Sequence, residues 1–174
     1  MDELTLQPTR QRIVEEVAHH PGLSGRELQQ RLTLGWGETA YHLERLVRAG
    51  AVRRERGGWR DYYFAPDVTW DDRKLHQSLR SPTERAILIA LARKDRLTFR
   101  ELGDELEVGK STVSFHLNLL IERGTVLAEP SPEGRRYRAQ RPDRVRELLS
   151  AYRVSFQDRL VDQFVASFSG LLRE

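Results

Sequence analysis

A single offset organises this sequence: Pro8-Thr9 recur as Pro82-Thr83, and the same step of 74 residues then holds without a gap as far as Val52 and Val126. Ile13 falls on Ile87, Leu23 on Leu97, Arg26-Glu27-Leu28 on Arg100-Glu101-Leu102, and Leu32 on Leu106. Gly35 falls on Gly109, His42-Leu43 on His116-Leu117, Leu46 on Leu120 and Gly50 on Gly124, and Tyr63 meets Tyr137 in the same register. An Arg-Glu-Leu triplet, a His-Leu pair and two glycines in one register exceed a coincidence of leucines, so the chain is two copies of one unit. The expected organisation is a first unit over 1–67, a connecting segment over 68–81, a second unit over 82–141 and a tail over 142–174. The connector carries Trp70, Leu75 and Leu79 and is expected to be a short packed helix rather than a free tether.

Each copy reads as three helices and a hairpin. Thr9 is expected to cap a first helix with Ile13, Val14, Val17 and Ala18 at helical spacing; Thr83 starts its counterpart with Ile87, Leu88, Leu91 and Ala92. Ser24 and Thr98 each stand three residues before a glutamate, Glu27 and Glu101, which is the spacing of a capping box at the start of a second helix. A third helix follows Gly35 or Gly109 and stops at Gly50 or Gly124, where a helix end needs the left-handed conformation. Next come two β-rich segments, Ala51 to Glu55 and Trp59 to Phe64, around Gly57-Gly58, and in the second copy Thr125 to Ala128 and Arg136 to Arg138 around the loop 130–134. The expected fold class is mainly α with small β-hairpin wings (α+β): two tandem winged helix-turn-helix domains followed by a long C-terminal helix.

Composition removes several classes of function. The chain has no cysteine, which excludes disulfides, thiolate nucleophiles and cysteine-ligated metals. Its longest apolar run, Ala86 to Ala92, is far short of the roughly 18 residues of a spanning helix, and Met1 to Gln7 carries two acids and no apolar leader. A cytoplasmic, nucleoid-associated protein with no membrane attachment is expected. No nucleophile–base pair, phosphate-binding glycine loop or clustered ligand set appears, so the expectation is no enzyme, no catalytic residue, no metal and no cofactor. His42 and His116, at one repeat position, are read as packing or hydrogen-bonding groups. The net charge of +3 is too small to imply nucleic acid by itself; a local basic face is required.

The segments KSTVSFHLNLLIERGTV (110–126) and GETAYHLERLVRAGAV (37–52) supply such a face, and they resemble the recognition helix and first wing strand of winged-helix transcriptional regulators of the ArsR type. The resemblance covers almost all of each repeat, and the tandem arrangement is similar to tandem winged-helix regulators known from archaea. It implies a sequence-specific regulator that binds double-stranded DNA through recognition helices 37–49 and 110–123. On the second helix Lys110, Ser111, Thr112, Ser114, Phe115 and Asn118 are the candidate contacts: a cation, hydroxyls and an amide suit phosphates and base edges, and Phe115 suits a thymine methyl. The alternative is a solvated helix start that Ser111 and Thr112 merely cap.

The first copy offers Trp36, Tyr41 and Arg45 instead, with a repulsive Glu38. Its wing carries Arg53, Arg54, Arg56 and Arg60 around the Gly-Gly tip, suited to phosphates or the minor groove, as do Arg135 and Arg136 in the second wing. Trp59, Tyr62 and Tyr63 are expected to fill the wing's inner face rather than stack on bases.

From Pro142 to Leu172 there is no further proline, and Leu148, Leu149, Tyr152, Phe156, Leu160, Phe164, Phe168 and Leu171 lie three or four apart on one apolar stripe. Because a small winged unit is expected to leave such a stripe uncovered, a second copy of the same helix is the expected cover, giving a homodimer. The alternative is a tail folded back on its own chain. Against the regulator stands a tandem winged-helix protein–protein interaction module, similar to chromosome-condensation accessory or transcription-machinery subunits, which Trp36, Glu38 and the modest charge favour. No residue pattern identifies a small-molecule effector.

Overall fold

The computed structural model describes residues 7–106, 108–156 and 159–169, and it divides into two compact units, Met1–Gln77 and Ser78–Glu174. The first contains α1 (Pro8–His19), β1 (Leu23–Ser24), α2 (Gly25–Leu32), α3 (Trp36–Arg48), β2 (Arg53–Gly57) and β3 (Arg60–Phe64). The second contains α5 (Pro82–Arg93), β4 (Leu97–Thr98), α6 (Phe99–Leu106), α7 (Lys110–Glu122), β5 (Val126–Ser131), β6 (Gly134–Ala139), α8 (Pro142–Ala151), α9 (Arg153–Phe156) and α10 (Arg159–Ser169). Each unit holds a three-stranded antiparallel sheet, ordered β1-β3-β2 and β4-β6-β5. These are two winged helix-turn-helix domains in tandem.

Local chemistry sets the helix ends. Ser24 Oγ accepts from the Glu27 amide while the Glu27 carboxylate accepts from Ser24, and Thr98 and Glu101 repeat the exchange. The first helices begin earlier than expected: Pro8 and Pro82, not the threonines, open them, because proline lacks only an amide that a first turn leaves unused. Gly50 and Gly124 have φ of 72° and 71° and end α3 and α7. The wings are tight hairpins, with Gly57 opposite Arg60 and Ser131 opposite Gly134. In the first unit Ile13, Val17, Leu28, Leu43, Leu46 and Val52 close one core beneath the sheet.

Residues 68–81 are not a spacer. Trp70–Arg80 form α4, and the boundary between units falls inside it, after Gln77. On the first side Leu75 is buried, the rings of Phe64 and His76 are 6.3 Å apart, and Arg73 bonds Glu55 at 2.8 Å and the Val68 carbonyl at 2.7 Å. On the second, Leu79 is fully buried and its carbonyl accepts from Arg85.

The tail departs most from expectation. The single helix over 142–174 is broken at Tyr152, whose φ of −113° and ψ of 25° end α8. Both α8 and α10 pack on α5. A straight helix of that length would run about 50 Å against an α5 of about 18 Å, so most of it would find nothing to cover. Folded, it buries Val145, Leu148, Leu149, Phe156, Val161, Phe164 and Val165 within the second unit, while Val154 stays exposed. Leu148, Leu149, Phe156 and Phe164 of the expected dimer face are all buried there, and Tyr152 and Leu160 are partly buried. In the single chain these residues therefore serve as core of the second unit. The side chain of Phe168 and the whole of Leu171 lie outside the described residues.

Candidate nucleic-acid interface

On α7 the burial pattern separates two faces. Val113, Leu117 and Leu120 point into the core, while Lys110, Ser111, Thr112, Ser114, Phe115 and Asn118 are exposed. Gly109 at the N-cap contributes no side-chain hydrogen bond, and neither serine nor threonine hydroxyl caps in its place. The first amides of α7 thus keep the partial positive charge of a helix start. Phe115 is 61% exposed although it is a large aromatic, held edge-on to the His116 ring at 5.2 Å.

The wings are less cationic than their arginine count suggests. In the first, Arg54 pairs with Glu44 at 3.2 Å and Asp61 at 4.0 Å, and Arg56 with Asp61 at 3.8 Å. In the second, Arg136 pairs with Glu133 at 3.0 Å, and Arg138 bonds Glu129, holding that carboxyl below its usual range. Lys110 and Arg135, like Arg53 and Arg60 of the first unit, have no acidic partner among the described residues. Arg45 is stacked over the Tyr41 ring at 5.9 Å, and Tyr41 and Trp36 are 54% and 56% exposed.

Trp59 corrects the reading of the first wing. It is fully exposed, at 102%, because it sits with Gly58 in the two-residue turn and so falls outside the in-and-out alternation of β3. Tyr63 alone of the three aromatics is buried, and burial pushes its hydroxyl pKa up. Among the residues the sequence reading passed over is Arg26, exposed at the start of α2.

Each recognition helix carries the repeated histidine on its inner side, with opposite partners. In the first unit Arg10, itself buried, donates from Nε to His42 Nδ1 at 3.4 Å. Burial lowers the His42 pKa, and the Arg10 charge lowers it further. In the second unit the same position of α5 is Glu84, which lies 3.4 Å from His116 Nδ1 and also pairs with Arg123. Burial raises the Glu84 pKa against the opposing pull of Arg123 and His116.

Comparison with known proteins agrees with this geometry in both halves. Residues 7–75 match the family model of an N-terminal HTH domain, and residues 80–136 match that of the MarR family, whereas the sequence reading likens the same segments to ArsR-type regulators. Over 125 residues, 72% of its length, the chain is 27% identical to the uncharacterized HTH-type transcriptional regulator MJ1398 of Methanocaldococcus jannaschii, and it spans only 32% of that relative. Two helix-turn-helix family matches laid end to end on two winged units identify the chain as a tandem winged helix-turn-helix protein.

Proposed function

We propose that this chain is a DNA-binding transcriptional regulator, acting on chromosomal DNA in the cytoplasm, whose second recognition helix reads the major groove of a duplex. One observation carries the reading: the first turns of α7 present Lys110, Ser111, Ser114, Phe115 and Asn118 together on the face opposite its buried residues, at a helix start with no side-chain cap. A helix so placed meets base edges with its early residues and phosphates with its cation and free amides. Arg135 adds phosphate contact from the second wing, with Arg136 and Thr112 at the margin. In the first unit Arg45 and the wing residues Arg53, Arg54, Arg56 and Arg60 add contacts of lower net charge, since acids neutralise part of them. The names of the matching families and of the archaeal relative point the same way.

Selection of bound duplexes from a random pool, followed by anisotropy titrations at several salt concentrations, tests it. A selected site, with affinity falling steeply as salt rises, is the expected result. Duplex binding that ignores ionic strength, or no binding at low salt, would overturn the reading in favour of a protein partner.

A further inference from the structure

Within the first unit, α2, the start of α3 and the wing enclose an open cleft of about 640 Å³. Two tryptophans line it, Trp36 from the recognition helix and Trp59 from the wing tip. Trp36 lies over Gly25: a Cβ there would stand 3.4 Å from Trp36 Cη2 and 3.5 Å from Leu43 Cδ1. At the repeat-equivalent positions the second unit has Phe99 for Gly25, Lys110 for Trp36 and Glu133 for Trp59. The aromatic cleft is therefore a property of the first copy, gained where the second copy keeps a cationic helix start.

Three arginines, Arg26, Arg54 and Arg60, and three acids line the cleft, so its formal charge is zero, but the acids are not shared evenly. Each acid is engaged: Glu27 holds the Ser24 amide at 2.8 Å, Glu44 pairs with Arg54, and Asp61 lies near Arg54 and Arg56. Arg26 and Arg60 line the same cleft and have no acidic partner among the described residues. Exposed tryptophan faces offer stacking to a planar group, and uncompensated guanidinium groups offer paired hydrogen bonds to an oxyanion.

We infer that the first unit's cleft is a nucleotide site, in which a base stacks on Trp36 and Trp59 while its phosphate is held by Arg26 and Arg60. The ligand is either a free mononucleotide or an unstacked nucleotide of a single strand; both present the same base and phosphate. A base stacked inside a duplex presents neither π-face, so this site is distinct from the duplex contact of α7 and stands or falls without it.

The test uses the full chain carrying Trp70→Phe, which leaves Trp36 and Trp59 as the only tryptophan reporters. It is titrated with deoxyadenosine monophosphate, with deoxyadenosine, and with a single-stranded oligothymidylate. Saturable fluorescence quenching by the mononucleotide, the oligonucleotide or both is expected, and which of them binds identifies the source. Trp59→Ala should weaken that binding by about fivefold or more. Since Trp59 is wholly exposed, this variant loses no packing. Arg60→Ala should weaken the mononucleotide and leave the nucleoside unchanged. The inference is overturned if neither nucleotide probe quenches up to millimolar concentration, if Trp59→Ala binds as the parent does, or if the nucleoside binds as tightly as the nucleotide. Displacement by benzoate at equal concentration would also overturn it, marking a site for planar acids in general. Duplex affinity of Lys110→Glu, measured separately, reports on the other site alone.

Discussion

At the scale of residues, duplication has left one histidine with two electrostatic settings. His42 faces a buried guanidinium and is favoured neutral, so its contribution to stability is fully present above its ordinary value of 6.5 and is lost as the pH falls through the lower folded value. Glu84 has the opposite sign: its folded pKa lies above 4.5, so its contribution is greatest below that pH and declines as the pH rises through the folded value. In chemical denaturation from pH 7 down to 5, His42→Gln should flatten the loss of stability of the first unit. For Glu84→Gln the pH dependence above 4.5 should flatten instead; a profile parallel to the parent in either variant refutes the assignment. The shared position of the histidines was legible in the 74-residue step, but their partners were not. Arg10 and Glu84 are themselves repeat equivalents, yet nothing in a linear pattern says that a helix-start residue meets a side chain 32 residues on. Trp59 departs from expectation for a different reason: the alternation of β3 begins only at Arg60, and Trp59 belongs to the turn.

At the scale of elements, the tail and α5 explain one another. In α1 the second face carries Glu15 and Glu16, whereas the equivalent residues of α5 are Ile89 and Ala90, both buried. The unbroken apolar run of Ala86 to Ala92 was visible in the sequence, and it was the signal that a further layer covers α5. The sequence pattern of Ile87, Leu88, Leu91 and Ala92 predicts one apolar helix face, whereas Ile89 and Ala90 give α5 a second. Arg80 fixes the fold-back by donating to Ser155 Oγ at 2.6 Å, and Arg80 and Arg85 each lie 5.3 Å from the centre of the Phe156 ring. Leu149→Ala, at a position with no exposure, should cost about 2–5 kcal/mol in urea denaturation. Ending the chain at Arg141 should expose Ile89 and its neighbours and lower the melting temperature of the second unit; an unchanged transition would show that the tail contributes nothing to the core. The strands β1 and β4, two residues each, lie below the length at which any hydrophobic period is readable, so the third strand of each sheet was missed.

At the scale of the whole molecule, two copies of one fold present unlike faces. The second offers a cation, hydroxyls and an amide; the first offers aromatics and a wing whose charge is partly cancelled. Lys110→Ala should weaken duplex binding about uniformly across sequences and reduce the salt slope by about one. Asn118→Ala should instead cost about 1–3 kcal/mol at one base position and relax preference there. Equal losses at every position for Asn118→Ala would remove it from base readout. Fold and duplication were legible because repeat, capping and glycine signals are local and agree with one another. Which copy does what depended on side-chain pairing in space, such as Glu44 and Asp61 drawing off Arg54, and that is invisible along the chain.

The fold-back of the tail also orders events during synthesis. All the strands and helices of the first unit's winged core lie between Pro8 and Phe64, and its strand pairing of Leu23 with Tyr63 closes within that span. The second cannot finish until late, since the bond from Arg80 to Ser155 spans 75 residues and α10 is made last of its helices. Until then the apolar back of α5 is bare on the nascent chain, a long-range closure of the kind that slows folding and invites chaperone capture. Ribosome-stalled chains released just before and just after α10 should differ sharply in protease resistance of the second half, while the first half is already protected in both.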